Sequence, residues 1–128
     1  MKNDERKENR VLIVDRSPIV RKRLENILAE HGCEVAGTAQ TAEDAMEIYR
    51  KLRPDIVALD ISVTSDCVSF IRRFQKLYPD AKIVMTSILG RKEMISDGIR
   101  AGAMDFILKP FVPERVVDVM KGISDRPA

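Results

Sequence analysis

The chain has 128 residues, with 22 lysines and arginines against 20 aspartates and glutamates and a formal net charge of +2. That length suits one domain with one core, and so small a charge argues against binding nucleic acid or an anionic membrane surface. It holds no run of about 18 apolar residues, so no transmembrane helix is expected, and the charged stretch Met1 to Arg10 lacks the apolar segment of a signal peptide, so a cytoplasmic location is expected.

Residues 1–9 carry both signs of charge and almost no apolar groups, and read as a disordered lead-in. Val11-Leu12-Ile13-Val14 is then a short apolar run ending in Asp15, the pattern of a strand buried on both faces. Ser17-Pro18 supplies an N-cap and a first-turn proline. Val20, Leu24, Ile27 and Leu28 follow at helical spacing, and Gly32 should stop that helix. His31 is the only histidine. It stands at this helix end, where a cation complements the dipole.

Cys33 to Ala39 reads as a second strand. Thr41 caps a second helix with acids in its first turn, and Pro54 ends it. Ile56 to Leu59 is a third buried strand, delivering Asp60. Ser62 to Asp66 is a polar turn. Val68, Phe70, Ile71, Phe74 and Leu77 mark a third helix. Ala81 to Met85 is a fourth strand leading into Thr86-Ser87. A helix over 91–100 contains Gly98, which marks either a mobile element or a close packing contact. Asp105 to Leu108 is a fifth strand ending at Lys109-Pro110, and a last helix carries Val116, Val117, Val119 and Met120. The two cysteines, Cys33 and Cys67, have no metal-ligand spacing and read as reduced thiols.

Five alternations of strand and helix imply an α/β protein: a parallel sheet covered on both faces, doubly wound in three layers. One domain spans 10–123, and 124–128 read as a tail or the start of a linker. In such sheets the ligand crevice lies outside the carboxyl ends of the strands. Collected there are Asp15 and Arg16, Asp60, Thr86 and Ser87, and Lys109. Asp60 can serve as a nucleophile, a metal ligand or an ion-pair partner. Two carboxylates, a hydroxyl and an ammonium suit chemistry on a phosphoryl group, with a carboxylate as acceptor and a cation offsetting oxygen charge. The same groups can also form a solvated rim in which the charges merely pair.

Val11 to Asp15, Ser17-Pro18, Pro54 to Asp60, Met85-Thr86-Ser87, Ala101-Gly102-Ala103 and Lys109-Pro110-Phe111 together resemble the receiver domains of response regulators. The resemblance covers about residues 10–122. It implies the flavodoxin-like strand order 2-1-3-4-5 and a place in a two-component phosphorelay. By the resemblance Asp60 accepts phosphoryl from a histidine kinase or phosphotransfer protein. Lys109 contacts that group, Ser87 moves to bond it, and Phe106 then turns inward. This changes the surface formed by the fourth helix, fifth strand and fifth helix, which serves a downstream protein, an output domain or a homodimer. Beyond promoting its own phosphorylation and dephosphorylation, such a domain is not an enzyme.

The resemblance also implies Mg²⁺ held by Asp15, Asp60 and the Ser62 carbonyl, and here the sequence departs from the family. A second acid normally follows Asp15, and Arg16 stands in its place. The family's proline- and glycine-containing loop is replaced by Val63-Thr64-Ser65-Asp66-Cys67, one residue shorter. Arg16 either pairs with Asp60 or Asp15 and substitutes for the metal, or swings outward into water and leaves the site merely weakened; Mg²⁺ dependence is expected to be weakened or absent. The alternative is a pseudo-receiver, a phosphorylation-independent protein-interaction module. An aspartate-nucleophile phosphatase is disfavoured because Ser62, not an acid, lies two residues after Asp60.

Overall fold

In a computed structural model of the chain, residues 9–127 are described. Residues 1–8 of the predicted lead-in, and Ala128, lie outside the described residues. Ten elements alternate: β1 (Arg10–Val14), α1 (Pro18–Glu30), β2 (Glu34–Ala39), α2 (Ala42–Leu52), β3 (Ile56–Asp60), α3 (Cys67–Leu77), β4 (Ile83–Ser87), α4 (Lys92–Ala101), β5 (Asp105–Leu108) and α5 (Pro113–Ser124). The strands pair in parallel in the order β2-β1-β3-β4-β5. This is the doubly wound, flavodoxin-like arrangement expected from the sequence.

Successive residues of a strand face opposite sides of the sheet. Leu12, Val14, Val57, Leu59, Ile83 and Met85 therefore join one core, with Ala45 and Tyr49 of α2 and Phe70, Ile71 and Phe74 of α3. Val11, Ile13, Ile56, Ala58, Val84 and Ile107 join the other, with Leu24, Ile27 and Leu28 of α1 and Val116, Val119, Met120 and Ile123 of α5. Both faces are covered, which is why the strands read as continuous apolar runs rather than alternating ones.

The helix starts follow their caps. Ser17 Oγ accepts from the Val20 amide, and Thr41 Oγ1 accepts from the Asp44 amide. Asp66 Oδ1 accepts from the Ser69 amide and so begins α3 one residue earlier than the apolar spacing suggests. α1 ends at His31, whose Nδ1 lies 2.8 Å from the Ile27 carbonyl, and Gly32 follows with φ +82°. β4 extends to Ser87 because Thr86 and Ser87 pair with Ile107 and Leu108 of β5.

The segment after residue 123 is held at the opposite edge of the sheet. Lys82 Nζ donates to the Ile123 carbonyl at 3.2 Å and to the Arg126 carbonyl at 2.5 Å, while Arg126 Nη1 donates to the Met104 carbonyl at 2.8 Å.

Gly98 is a close packing contact. A Cβ there would collide with the sulfur of the fully buried Met85. A Cβ at Gly122 of α5 would meet nothing within 4 Å. Alanine raises helix propensity at both positions, so the two substitutions separate packing from propensity. Gly122→Ala is expected to stabilise the fold by about 0.5–1 kcal/mol. Gly98→Ala is expected to destabilise it by about 1 kcal/mol, because overpacking outweighs the propensity gain. Urea unfolding of both variants decides it, and equal effects would contradict the packing account.

Candidate functional site

The sheet register builds the site. Asp60 is the last residue of β3 and pairs with Thr86 of β4. Val14 pairs with Leu59, so Asp15 leaves β1 beside Asp60. Ser87 pairs with Leu108, so Lys109 emerges beside the end of β4. The backbone ladder runs on past these ends. The Asp15 amide donates to the Ala39 carbonyl at 3.0 Å, and the Lys109 amide donates to the Ser87 carbonyl at 2.8 Å. Residues far apart in sequence thus meet at one edge because parallel strands end in step.

Asp15 and Asp60 are only 4% and 6% exposed. Lys109 Nζ donates to Asp15 Oδ2 at 2.7 Å and lies 3.4 Å from Asp60 Oδ1. The other two carboxylate oxygens also have donors. The Ser17 amide donates to Asp15 Oδ1 at 2.9 Å, an Asx turn that leads into α1. The Ser62 hydroxyl donates to Asp60 Oδ2 at 2.7 Å. Arg21 Nη1 donates to the Asp15 backbone carbonyl at 2.7 Å. Ser87 is buried, and its hydroxyl donates to the Ile88 carbonyl at 2.7 Å.

Of the two places open to it, Arg16 takes the outward one. It is exposed, and its Nη2 donates to the Ser62 carbonyl at 3.1 Å. Among the described residues, no ion pair within 4.0 Å joins it to Asp15 or Asp60. Lys109 already bridges the carboxylates. Drawing a second cation into that buried space would cost further desolvation, so the guanidinium keeps its water and binds a rim carbonyl.

Two neighbours of Asp60 escaped the sequence reading. Ser62 was credited with its carbonyl alone, although a hydroxyl two residues from a carboxylate is a familiar local bonding distance. Cys67 opens α3 and is 4% exposed. Burial, then the charges of Asp60 and Asp66, push its thiol up to about 12. It is an unreactive thiol at neutral pH. Phe106 is half-buried against the α3 side of the sheet, with the Arg115 guanidinium 5.9 Å from its ring centroid.

A family model for the response regulator receiver domain matches residues 11–121. The chain belongs to this family. The chemotaxis protein CheY of Thermotoga maritima is 42% identical over 116 residues, spanning 90% of this chain and 97% of that protein. CheY of Bacillus subtilis is 35% identical over 113 residues, 88% of this chain and 94% of that one. The crystal structure of a response regulator from Thermotoga maritima superposes with a TM-score of 0.84 at 29% identity, over 93% of this chain and 99% of that one. The chain is therefore a receiver domain of two-component signalling, a signalling module rather than a conventional enzyme. Among the described residues, no helix is long and apolar enough to cross a membrane.

Receiver membership implies Mg²⁺, which wants near-octahedral oxygen coordination. The residues present do not fit that ion. The four carboxylate oxygens of Asp15 and Asp60 carry donors, and the Ser62 carbonyl faces a guanidinium. Among the described residues, no group of three His, Cys, Asp or Glu side chains is placed to hold a metal.

Two outcomes are expected. Lys109→Met strips the cation from two buried carboxylates and should cost about 3 kcal/mol in urea unfolding, the low end for a buried pair that loses one partner. Adding Asp60→Asn should recover part of that loss, and an unchanged stability in the single variant would contradict the bridging role. Separately, the ordinary thiol value of 9.0 lies well below that of folded Cys67. Between these values the unfolded chain loses the proton and the folded chain keeps it. The thiol's contribution to stability is full below pH 9 and is lost as pH rises toward about 12. Cys67→Ala should therefore show a shallower alkaline fall in stability than the parent.

Proposed function

We propose that Asp60 accepts a phosphoryl group from a histidine kinase or phosphotransfer protein, and that the resulting acyl phosphate resets the surface of α4, β5 and α5. The supporting observation is the ammonium of Lys109, within 2.7 Å and 3.4 Å of two buried strand-end carboxylates. In the transfer, a carboxylate oxygen of Asp60 forms a bond to phosphorus. The donor's nitrogen–phosphorus bond breaks, and the imidazole leaves with that electron pair. Lys109 offsets charge on the transferred oxygens. No step needs a metal ion, and Mg²⁺ dependence is weak or absent because Arg16 stands where an acid would be.

At rest the Ser87 hydroxyl is bound to the Ile88 carbonyl, a neutral acceptor. A phosphoryl oxygen makes a stronger, charge-assisted bond. Ser87 therefore turns toward Asp60 when the group arrives. Phe106 pairs with Met85, two residues before Ser87, so that movement reaches the aromatic through one strand. Ile99 of α4, Leu108 of β5 and Val112 before α5 are exposed apolar residues of the face that changes. A downstream protein, an output domain or a second copy of the chain binds there, and neither nucleic acid nor membrane is a direct partner. The protein is cytoplasmic.

A second reading is favoured by one observation, the poor fit of the pocket to Mg²⁺. It is a phosphorylation-independent interaction module that keeps the fold. Treatment with a small phosphodonor, followed by intact-mass and peptide analysis, separates the two. The first reading expects one phosphoryl group on Asp60 and none in Asp60→Asn. It expects Ser87→Ala to accept the group without the accompanying shift of Phe106 resonances. An Asp60 left unmodified under all metal conditions leaves only the interaction module.

A further inference from the structure

Resting on the phosphoacceptor reading, we infer that Arg16 is the second phosphoryl-binding cation of this pocket and does the charge-neutralising work that a divalent metal would otherwise do. Before transfer the Asp15 and Asp60 carboxylates face Lys109, with Arg16 on the rim and Arg21 tied to the Asp15 backbone carbonyl at 2.7 Å. Transfer replaces the Asp60 carboxylate with an acyl phosphate carrying about two negative charges. Lys109 already serves Asp15 at 2.7 Å. A second positive group within reach is then needed, and Arg16 stands one residue away. Ser62 joins the two, since its hydroxyl donates to Asp60 at 2.7 Å and its carbonyl accepts from Arg16 at 3.1 Å.

The resting contact of Arg16 is easily exchanged. It is a single bond to a neutral carbonyl from an exposed side chain. A guanidinium presents a planar fork of donors that matches phosphoryl oxygens two at a time, and such charge-assisted bonds are about twice as strong as neutral ones. Arrival of the group therefore draws Arg16 from Ser62 onto phosphoryl oxygens. Its departure returns the side chain to the carbonyl. The same guanidinium excludes Mg²⁺ at rest, both by charge and by occupying the one backbone carbonyl the ion would use.

The test uses acetyl phosphate as donor. An Asp60 oxygen bonds to phosphorus, the phosphorus–oxygen bond to the acetyl group breaks, and acetate leaves. Intact mass follows the reaction in EDTA and in MgCl₂, and a Mg²⁺ titration of the unmodified protein is followed by amide NMR shifts in the loop after β3. The parent is expected to react in EDTA at within about threefold of its rate in Mg²⁺ and to show no saturable Mg²⁺ shifts. Arg16→Ala should lose about tenfold or more in EDTA, below the roughly 10²–10³ of a preorganised oxyanion-hole donor because Arg16 is exposed. Arg16→Asp should fail in EDTA, recover with Mg²⁺ and gain saturable shifts. Melting curves confirm that these surface variants fold, and Arg16→Lys, which keeps charge but not the fork, should fall between parent and alanine. A parent that reacts only with Mg²⁺, or an alanine variant unimpaired in EDTA, would overturn the role of Arg16 while leaving Asp60 as acceptor. An Asp60 unmodified in both buffers and all variants would instead remove the phosphoacceptor reading, and this inference with it.

Discussion

Lys109 Nζ lies 2.7 Å from one buried carboxylate and 3.4 Å from another. Two like charges this deep repel strongly, and burial penalises each of them separately. The ammonium between them offsets that repulsion and the cost of burial at the sheet edge. Its position is a property of the whole fold. It requires β1, β3 and β5 to end in step, and β5 to be registered on β4 so that Lys109 follows Leu108 past Ser87. The two cores on either face hold that register, since slipping a strand by one residue would exchange its core-facing sets.

The ion triad also shapes what the rim can do. With every carboxylate oxygen already accepting a bond, Arg16 has no reason to enter the pocket and settles on the Ser62 carbonyl. That leaves Ser62 as the hinge of the site, with its hydroxyl on Asp60 and its carbonyl on Arg16. Under the proposed function, a phosphoryl group on Asp60 would add negative charge beside Lys109, and Arg16 on the Ser62 carbonyl is the rim cation within the same loop. The surrounding fold is that of its receiver relatives.

Much of this was legible from residue order. Ile56 to Leu59 and Val11 to Val14 announced doubly buried strands because nothing polar interrupts them, and the carboxylates at their ends converge in any parallel sheet. The strand order came from family resemblance, since alternation alone does not fix it. Pairwise facts that depend on register were not legible. Gly98 could be read as mobile or as packed until Met85, on another strand, was placed against it. Whether Arg16 pairs with a carboxylate or turns outward stayed open, because the prior claim of Lys109, ninety-three residues away, could not be weighed from the chain. Cys67 read only as a reduced thiol without metal-ligand spacing. Its burial beside Asp60 and Asp66, which raises the thiol, depends on the fold.

In the proposed mechanism Asp60 carries a phosphoryl group held by Lys109, Ser87 and Arg16. A crystal structure of the protein with a beryllofluoride phosphoryl mimic on Asp60 tests it most directly. The account predicts the Ser87 hydroxyl off the Ile88 carbonyl and on the mimic, with Arg16 off the Ser62 carbonyl and on the mimic's other ligand atoms. Ser87 still bound to Ile88, or a metal ion seated on Asp15 and the Ser62 carbonyl with Arg16 turned out to solvent, would contradict it.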